Sequence, residues 1–113
     1  MLVVDDDAAM AKSIARVLKR DNLKTVTTQN AFEAGLFYAD RKPALMTLDL
    51  QMPRMDGFEI LKLVQHNKRG KILVISGMRD EYLQQALDLG ADDTLAKPFD
   101  DDNLREKVKQ LLA

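Results

Sequence analysis

Side chains able to do chemistry stand at the points where short apolar runs end. Leu2–Val4 gives way to Asp5, Asp6 and Asp7, and Ala44–Leu48 gives way to Asp49. Ile72–Ile75 ends in Ser76-Gly77, and Thr94–Ala96 ends in Lys97-Pro98. Bringing Asp5, Asp6 and Asp49 together is costly. Two like charges about 4 Å apart repel by roughly 4 kcal/mol at an effective dielectric near 20. Such a cluster must take up a proton or bind a cation. An all-oxygen site suits a hard divalent ion, and Mg²⁺ would keep waters and room for a phosphate oxygen. Asp49 can then act as a covalent phosphoryl acceptor. Lys97 and Ser76 are suited to holding the oxygens of the transferred group. Ser76, short and neutral, can move towards a group that was not there before.

The elements needed to position these residues are legible in the apolar spacing. Leu2–Val4 reads as a buried strand, followed by a helix over Ala8–Arg20 with Ile14, Val17 and Leu18 inward. Leu23–Thr28 reads as a second strand with Leu23 and Val26 as core candidates. Asn30 is placed to cap a helix through Ala39 that buries Phe32, Leu36 and either Phe37 or Ala39. Ala44–Leu48 is the third strand, and the segment Leu50–Gly57, with Pro53 and Asp56-Gly57, is a loop. Ile60, Leu61 and Val64 mark a third helix ending near Asn67–Gly70. Ile72–Ile75 is a fourth strand, and Tyr82–Leu89 a helix with Leu83, Ala86 and Leu87 as its stripe. Gly90 suits the left-handed cap of that helix. Thr94–Ala96 is the fifth strand, and Leu104, Val108, Leu111 and Leu112 define the last helix, with Asp100–Asp102 at its N-terminus. Strict β–α alternation with unbroken apolar strands predicts an α/β domain with a parallel sheet and helices on both faces. Ligands of such sheets gather at the carboxyl ends of the strands.

Composition sets the boundaries. The 113 residues suffice for one domain, and 46% hydrophobic content allows a core. Seventeen basic against 18 acidic residues leave a net charge of −1, with no electrostatic footprint for nucleic acid or an anionic membrane. The absence of cysteine excludes disulfide, thiolate and zinc–cysteine chemistry. No apolar run approaches a membrane span, and the acidic start does not read as a signal peptide. A cytoplasmic location is the expectation.

These residues resemble the receiver domain of bacterial two-component response regulators. The likeness rests on V-V-D-D-D at Val3–Asp7, L-D-L-Q-M-P-R-M-D-G at Leu48–Gly57, I-S-G at Ile75–Gly77 and G-A-D-D-T-L-A-K-P-F at Gly90–Phe99. It implies a flavodoxin-like (βα)5 fold with strand order 2-1-3-4-5 and a single receiver domain over residues 1–113. It also implies Asp49 as phosphoacceptor, and Mg²⁺ held by Asp5, Asp6, Asp49 and the backbone carbonyl of Gln51. Ser76 and Lys97 would act on the phosphoryl group, and the Lys–Pro bond before Pro98 would be cis. Ser76 and Thr94 take the switch positions. The family commonly places an aromatic residue where Thr94 stands, so here the signal is expected to leave through the Ser76 loop and helix 4. The implied partners are a sensor histidine kinase or histidine phosphotransfer protein and a downstream effector, with dimerisation possible through helix 4, strand 5 and helix 5. Tyr82, Gln85, Arg105 and Lys109 are candidates on that face. No output domain is expected within these residues, and the bare ends suggest a piece of a longer regulator.

Plainer readings compete at each position. Asp7, or the whole Asp5–Asp7 run, can cap the first helix, and Asp56 the third. Asp92, Asp93 and Asp100–Asp102 read as turn and cap charges. His66, the single histidine, is expected at a solvated helix end, and Met10, Met46, Met52, Met55 and Met78 as packing or rim residues. A degenerate receiver serving only as an interaction module is one alternative, opposed by the presence of all five site residues. An aspartate-nucleophile phosphohydrolase is another. That chemistry wants an acid two residues after the nucleophile, where Gln51 stands, and so is disfavoured. A flavin-binding domain lacks its phosphate loop after strand 1.

Overall fold

The computed structural model describes residues 1–52, 56–65 and 70–113. Five strands and five helices alternate: β1 Leu2–Val4, α1 Ala8–Arg20, β2 Val26–Thr28, α2 Ala31–Arg41, β3 Leu45–Leu48, α3 Gly57–Gln65, β4 Lys71–Ser76, α4 Asp80–Asp88, β5 Asp93–Ala96 and α5 Asp101–Leu112. The strands form one parallel sheet in the order β2-β1-β3-β4-β5, as the resemblance implies. The turn residue Pro53, along with Met55, His66 and the predicted helix end at residues 67–69, lies outside the described residues.

The period-two alternation of the strands sorts the core into two layers. Leu2, Val4, Met46, Leu48, Ile72 and Val74 meet Ala34, Tyr38, Ile60, Leu61, Val64, Leu83 and Ala86 from α2, α3 and α4. Val3, Leu45, Leu73, Ile75 and Leu95 meet Ala11, Ile14, Val17, Leu18, Leu104 and Val108 from α1 and α5. The predicted inward stripes of α1, α3 and α5 are found in place. Leu87, with Leu111 and Leu112, is partly buried at the core margin.

Two expectations fail. Val26 is 48% exposed, because β2 is the edge strand and starts three residues later than predicted. Leu23 is only partly buried against α1 and α5. In α2 the predicted face points the wrong way: Phe32 is 70% and Leu36 57% exposed, and Ala39 is exposed as well. Ala34 and Tyr38 are buried instead, with Phe37 packed beside them. The inward stripe lies roughly opposite the outward one on a 3.6-residue helix. Tyr38 is selected because its ring is buried while its hydroxyl accepts from Gly70 N at 3.3 Å and donates to Gly70 O at 3.4 Å. Phe32 could not satisfy that backbone at the start of β4.

Caps fall as read. Asp7 Oδ1 accepts from the amides of Ala9 and Met10, Asn30 Oδ1 from Phe32 and Glu33, and Asp100 Oδ1 from Asn103. Asp56 Oδ1 accepts from Phe58 N at 2.8 Å. Gly90 is left-handed, with φ 109°, after α4. Asp92, read as a turn or cap charge, accepts from Ile72 N at 2.8 Å.

Candidate functional site

The sheet delivers the reactive residues through its register. Val4 pairs with Leu48, so Asp5 and Asp49 are the next residues of adjacent strands, and Asp49 N donates to Val4 O at 3.1 Å. Ser76 pairs with Ala96, so Lys97 follows directly, its amide donating to Ser76 O at 2.9 Å. Alternation continues past the strand ends. Asp5, Asp49 and Lys97 extend the α1/α5 side, in step with Val3, Thr47 and Leu95. Ser76 extends the opposite side, in step with Val74, towards α3 and α4.

Lys97 Nζ donates to Asp5 Oδ2 at 3.0 Å and to Asp49 Oδ2 at 3.3 Å. Both carboxylates are buried, and the Lys97 side chain is 20% exposed. The other oxygens are engaged too: Asp5 Oδ1 accepts from Asp7 N at 2.9 Å, and Asp49 Oδ1 from Gln51 N at 3.1 Å. Burial pushes the Asp49 carboxyl above the usual carboxylate range. The Gln51 amide and Lys97 oppose that rise, while Asp5 adds to it. For Lys97 burial alone would lower the pKa, but the Asp5 hydrogen bond and the charges of Asp49 and Asp5 outweigh it and hold it above its ordinary value.

Asp6 completes the acidic group. Carboxylate oxygens of Asp5, Asp6 and Asp49 all lie within 4.8 Å of one another, with Asp6 the most exposed of the three. One ammonium against three carboxylates leaves two negative charges uncompensated when all three are ionised. The donor set is all oxygen, and Asp6 makes no hydrogen bond or ion pair among the described residues. Residues and charge therefore fit a hard divalent cation such as Mg²⁺. Asp5 and Asp6 thus belong to the acidic cluster, and Asp7 caps α1.

Between Gly57 and the end of β3 there is a close approach that the sequence did not reveal. A Cβ on Gly57 would lie 2.5 Å from Asp49 O and 2.6 Å from Leu50 Cα, and Gly57 N donates to Leu50 O at 3.1 Å. Gly57 thus lets the start of α3 rest on the backbone that carries Asp49. Its Asp-Gly context marks a turn, but the contact itself is tertiary.

Ser76 is fully buried, and its Oγ accepts from Met78 N at 3.3 Å. No described hydrogen bond joins Ser76 Oγ to Asp49 or to the Lys97 ammonium. Thr94, paired with Val74, is partly buried and places no ring between β5 and α4. The Lys97–Pro98 bond is cis. Of the candidates on the α4–β5–α5 face, Arg105 is engaged elsewhere, with Nε and Nη2 donating to Asp21 at the end of α1 at 3.0 and 2.9 Å. Thr47 is a further residue that sequence reasoning missed. Two positions before Asp49 on β3, its Oγ1 is buried with no hydrogen-bond partner among the described residues.

A parallel α/β sheet of this order, with an acidic cluster and a lysine at its carboxyl rim, defines a doubly wound domain with its site at the strand ends. Residues 1–109 match the family described as the response regulator receiver domain. The chain belongs to that family. It is 47% identical to a response regulator receiver domain from Bermanella marisrubri, with a TM-score of 0.92 over 99% of this chain and 96% of that one. It is 34% identical to sporulation initiation phosphotransferase F of Bacillus subtilis (strain 168), across 99% of this chain and 92% of that protein. A response regulator from Burkholderia pseudomallei, solved with a phosphorylated aspartic acid, calcium ion and citrate, is 29% identical. Its TM-score is 0.83 over 99% of this chain and 65% of that one. The chain spans about half the length of several curated response regulators that it matches at 33–35% identity. As a receiver domain it is a phosphoacceptor signalling module of the two-component kind. No described helix is long and apolar enough to cross a membrane.

Proposed function

We propose that the domain accepts a phosphoryl group on Asp49 in a magnesium-dependent step, from a sensor histidine kinase or a histidine phosphotransfer protein. An Asp49 carboxylate oxygen attacks phosphorus, the P–N bond of phosphohistidine breaks, and its electron pair returns to the imidazole. An acyl phosphate remains on Asp49. The observation that carries this reading is the sharing of Lys97 by buried Asp5 and Asp49 beside Asp6, which leaves the cluster short of positive charge. Asp5, Asp6, Asp49 and the Gln51 carbonyl would hold Mg²⁺, which when bound supplies countercharge to the transferring oxygens. Lys97 orients Asp49 before transfer and is placed to follow the new phosphoryl oxygens afterwards. Ser76 Oγ, which among the described residues bonds only to the Met78 amide, is free to donate to the same group. The phosphorylated aspartic acid of the Burkholderia protein supports the chemistry by similarity.

The domain promotes its own phosphorylation and slow dephosphorylation rather than turning over an organic substrate. The changed surface comprises the Ser76 loop with α4, β5 and α5, where an effector or a second copy would dock. A single receiver domain, working in the cytoplasm without direct contact to nucleic acid or membrane, completes the reading. Incubation with Mg²⁺ and acetyl phosphate tests it. A base-labile acyl phosphate should form in the wild type and be absent from Asp49→Asn and from metal-free samples. Equal labelling of Asp49→Asn, or steady release of phosphate from many organic esters, would sink it.

A further inference from the structure

α4 is the most loosely tied helix on the face it shares with α5. Three sets of ion pairs hold α5: Arg20 to Asp101 at 2.6 Å, Arg105 to Asp21 at 2.9 Å and Lys107 to Asp93 at 3.0 Å. Among the described residues, α4 makes no side-chain hydrogen bond or ion pair to another element. Its side-chain pairs are local, Gln84 with Asp88 and Arg79 with Glu81, and its N-cap residue Arg79 makes no capping bond. Among the described residues it is held by packing, through buried Leu83 and Ala86, partly buried Leu87 and the ring contact of Tyr82. Tyr82, in its first turn, lies over Phe58 with centroids 6.5 Å apart and planes at 52°.

Phe58 is not an arbitrary anchor. It follows Gly57, which rests on the Asp49 and Leu50 backbone, and its own amide is fixed by Asp56. The ring is buried in the layer that also holds Leu50. A displacement of the Asp49–Leu50 backbone is therefore passed through a backbone contact to Gly57, through one covalent step to Phe58, and through ring contact to Tyr82. The first turn of α4 is thus joined to Ser76 along the chain through residues 77–79, and it touches the Phe58 ring through Tyr82.

We propose that Phe58 and Tyr82 form a side-chain link that reports the state of Asp49 to the first turn of α4, alongside the covalent path from Ser76. The link rests on the phosphoacceptor reading of Asp49. It places the aromatic coupling element on α3 and α4 in a domain whose Thr94 offers none on β5. Phe58 and Tyr82 are positioning residues here; neither touches the reacting atoms.

The test separates uptake from response. Phosphoryl uptake from acetyl phosphate with Mg²⁺ is measured beside amide hydrogen exchange across residues 80–88, before and after phosphorylation. In the wild type those amides should change exchange rate on phosphorylation. In Phe58→Leu and Tyr82→Leu the change should shrink by roughly 2- to 12-fold, the span of one aromatic pair, with uptake unaltered. Tyr82→Phe keeps the ring and should keep the full response. An unchanged α4 response in both leucine variants, or its loss in Tyr82→Phe, overturns the link. Failure of the wild type to take up phosphate is a different result, and it removes the Asp49 reading together with everything built on it.

Discussion

Asp49 is held at a cost. Its carboxyl is buried beside Asp5 and its pKa is raised, chiefly by desolvation. A group whose folded pKa lies above its unfolded value contributes stability that is present below the unfolded pKa and lost as pH rises through the folded one. Ionised Asp49 therefore works against folding above the ordinary carboxylate range of about pH 4. Asp49→Asn keeps an oxygen for the Gln51 amide and removes the charge. It should melt at a higher temperature than the wild type at pH 7, with the gap closing as pH falls towards about 4. A gap that stays constant with pH would mean that ionisation is not its source. Thr47 offers a second case: its buried hydroxyl has no partner among the described residues, so replacing it by a methyl group in Thr47→Val should raise stability by about 0.5–1.5 kcal/mol in denaturant titrations. Thr47 lies outside the proposed machinery, so phosphoryl uptake should stay as it was. Gly57 carries the opposite penalty. Gly57→Ala forces the start of α3 off the Asp49 backbone and should cost about 1–3 kcal/mol. Uptake should fall as well, since the displaced atoms carry the acceptor; an alanine variant with wild-type stability and uptake would contradict the close approach. These residues were legible in the sequence to different degrees. The acids and Lys97 announce themselves by standing where apolar strands stop, whereas Thr47 and Gly57 acquire their meaning only from neighbours distant along the chain.

At the scale of elements, α2 shows where pattern reading runs out. Phe32, Leu36 and Ala39 form one apolar stripe at helical spacing, and Ala34 with Tyr38 forms another on the opposite face. Hydrophobicity favours the first stripe. Packing against β1 and α3, with a bonded place for the Tyr38 hydroxyl, favours the second. Helices with a single apolar stripe, such as α1 and α3, were oriented correctly because no rival face existed. Edge strand β2 failed for a related reason, since an apolar residue on an edge is not obliged to be covered. The reversed α2 makes a sharp stability contrast. Phe32→Ser should change unfolding free energy by no more than about 0.5 kcal/mol, as for an exposed site. Tyr38→Ala should cost about 3–5 kcal/mol, through lost ring packing together with the backbone partner it leaves behind. Chemical denaturation of both variants decides the orientation. A large loss at Phe32 with little at Tyr38 would restore the face expected from sequence.

Across the whole molecule, the rim joins the ends of β1, β3 and β5, so its charge balance bears on global stability. Lys97 reaches two of these ends and cannot neutralise the full cluster. A cation that binds the folded rim and not the unfolded chain stabilises by mass action, by about 2.7 kcal/mol at a hundredfold excess over its dissociation constant. Mg²⁺ should therefore raise the melting temperature of the wild type in a concentration-dependent way, while a monovalent salt at equal ionic strength should not. Asp6 separates binding from folding. It is the most exposed member of the cluster, with no bonds among the described residues, so Asp6→Asn should fold as stably as the wild type without metal. It should nevertheless lose most of the Mg²⁺-dependent gain, because one of the three carboxylates has gone. Lys97→Met should do the reverse, lowering stability in the absence of metal while leaving a cluster that Mg²⁺ still rescues. If Mg²⁺ stabilises Asp6→Asn as strongly as the wild type, the cation is not bound at this rim, and the charge deficit there must be met by protonation of Asp49 instead.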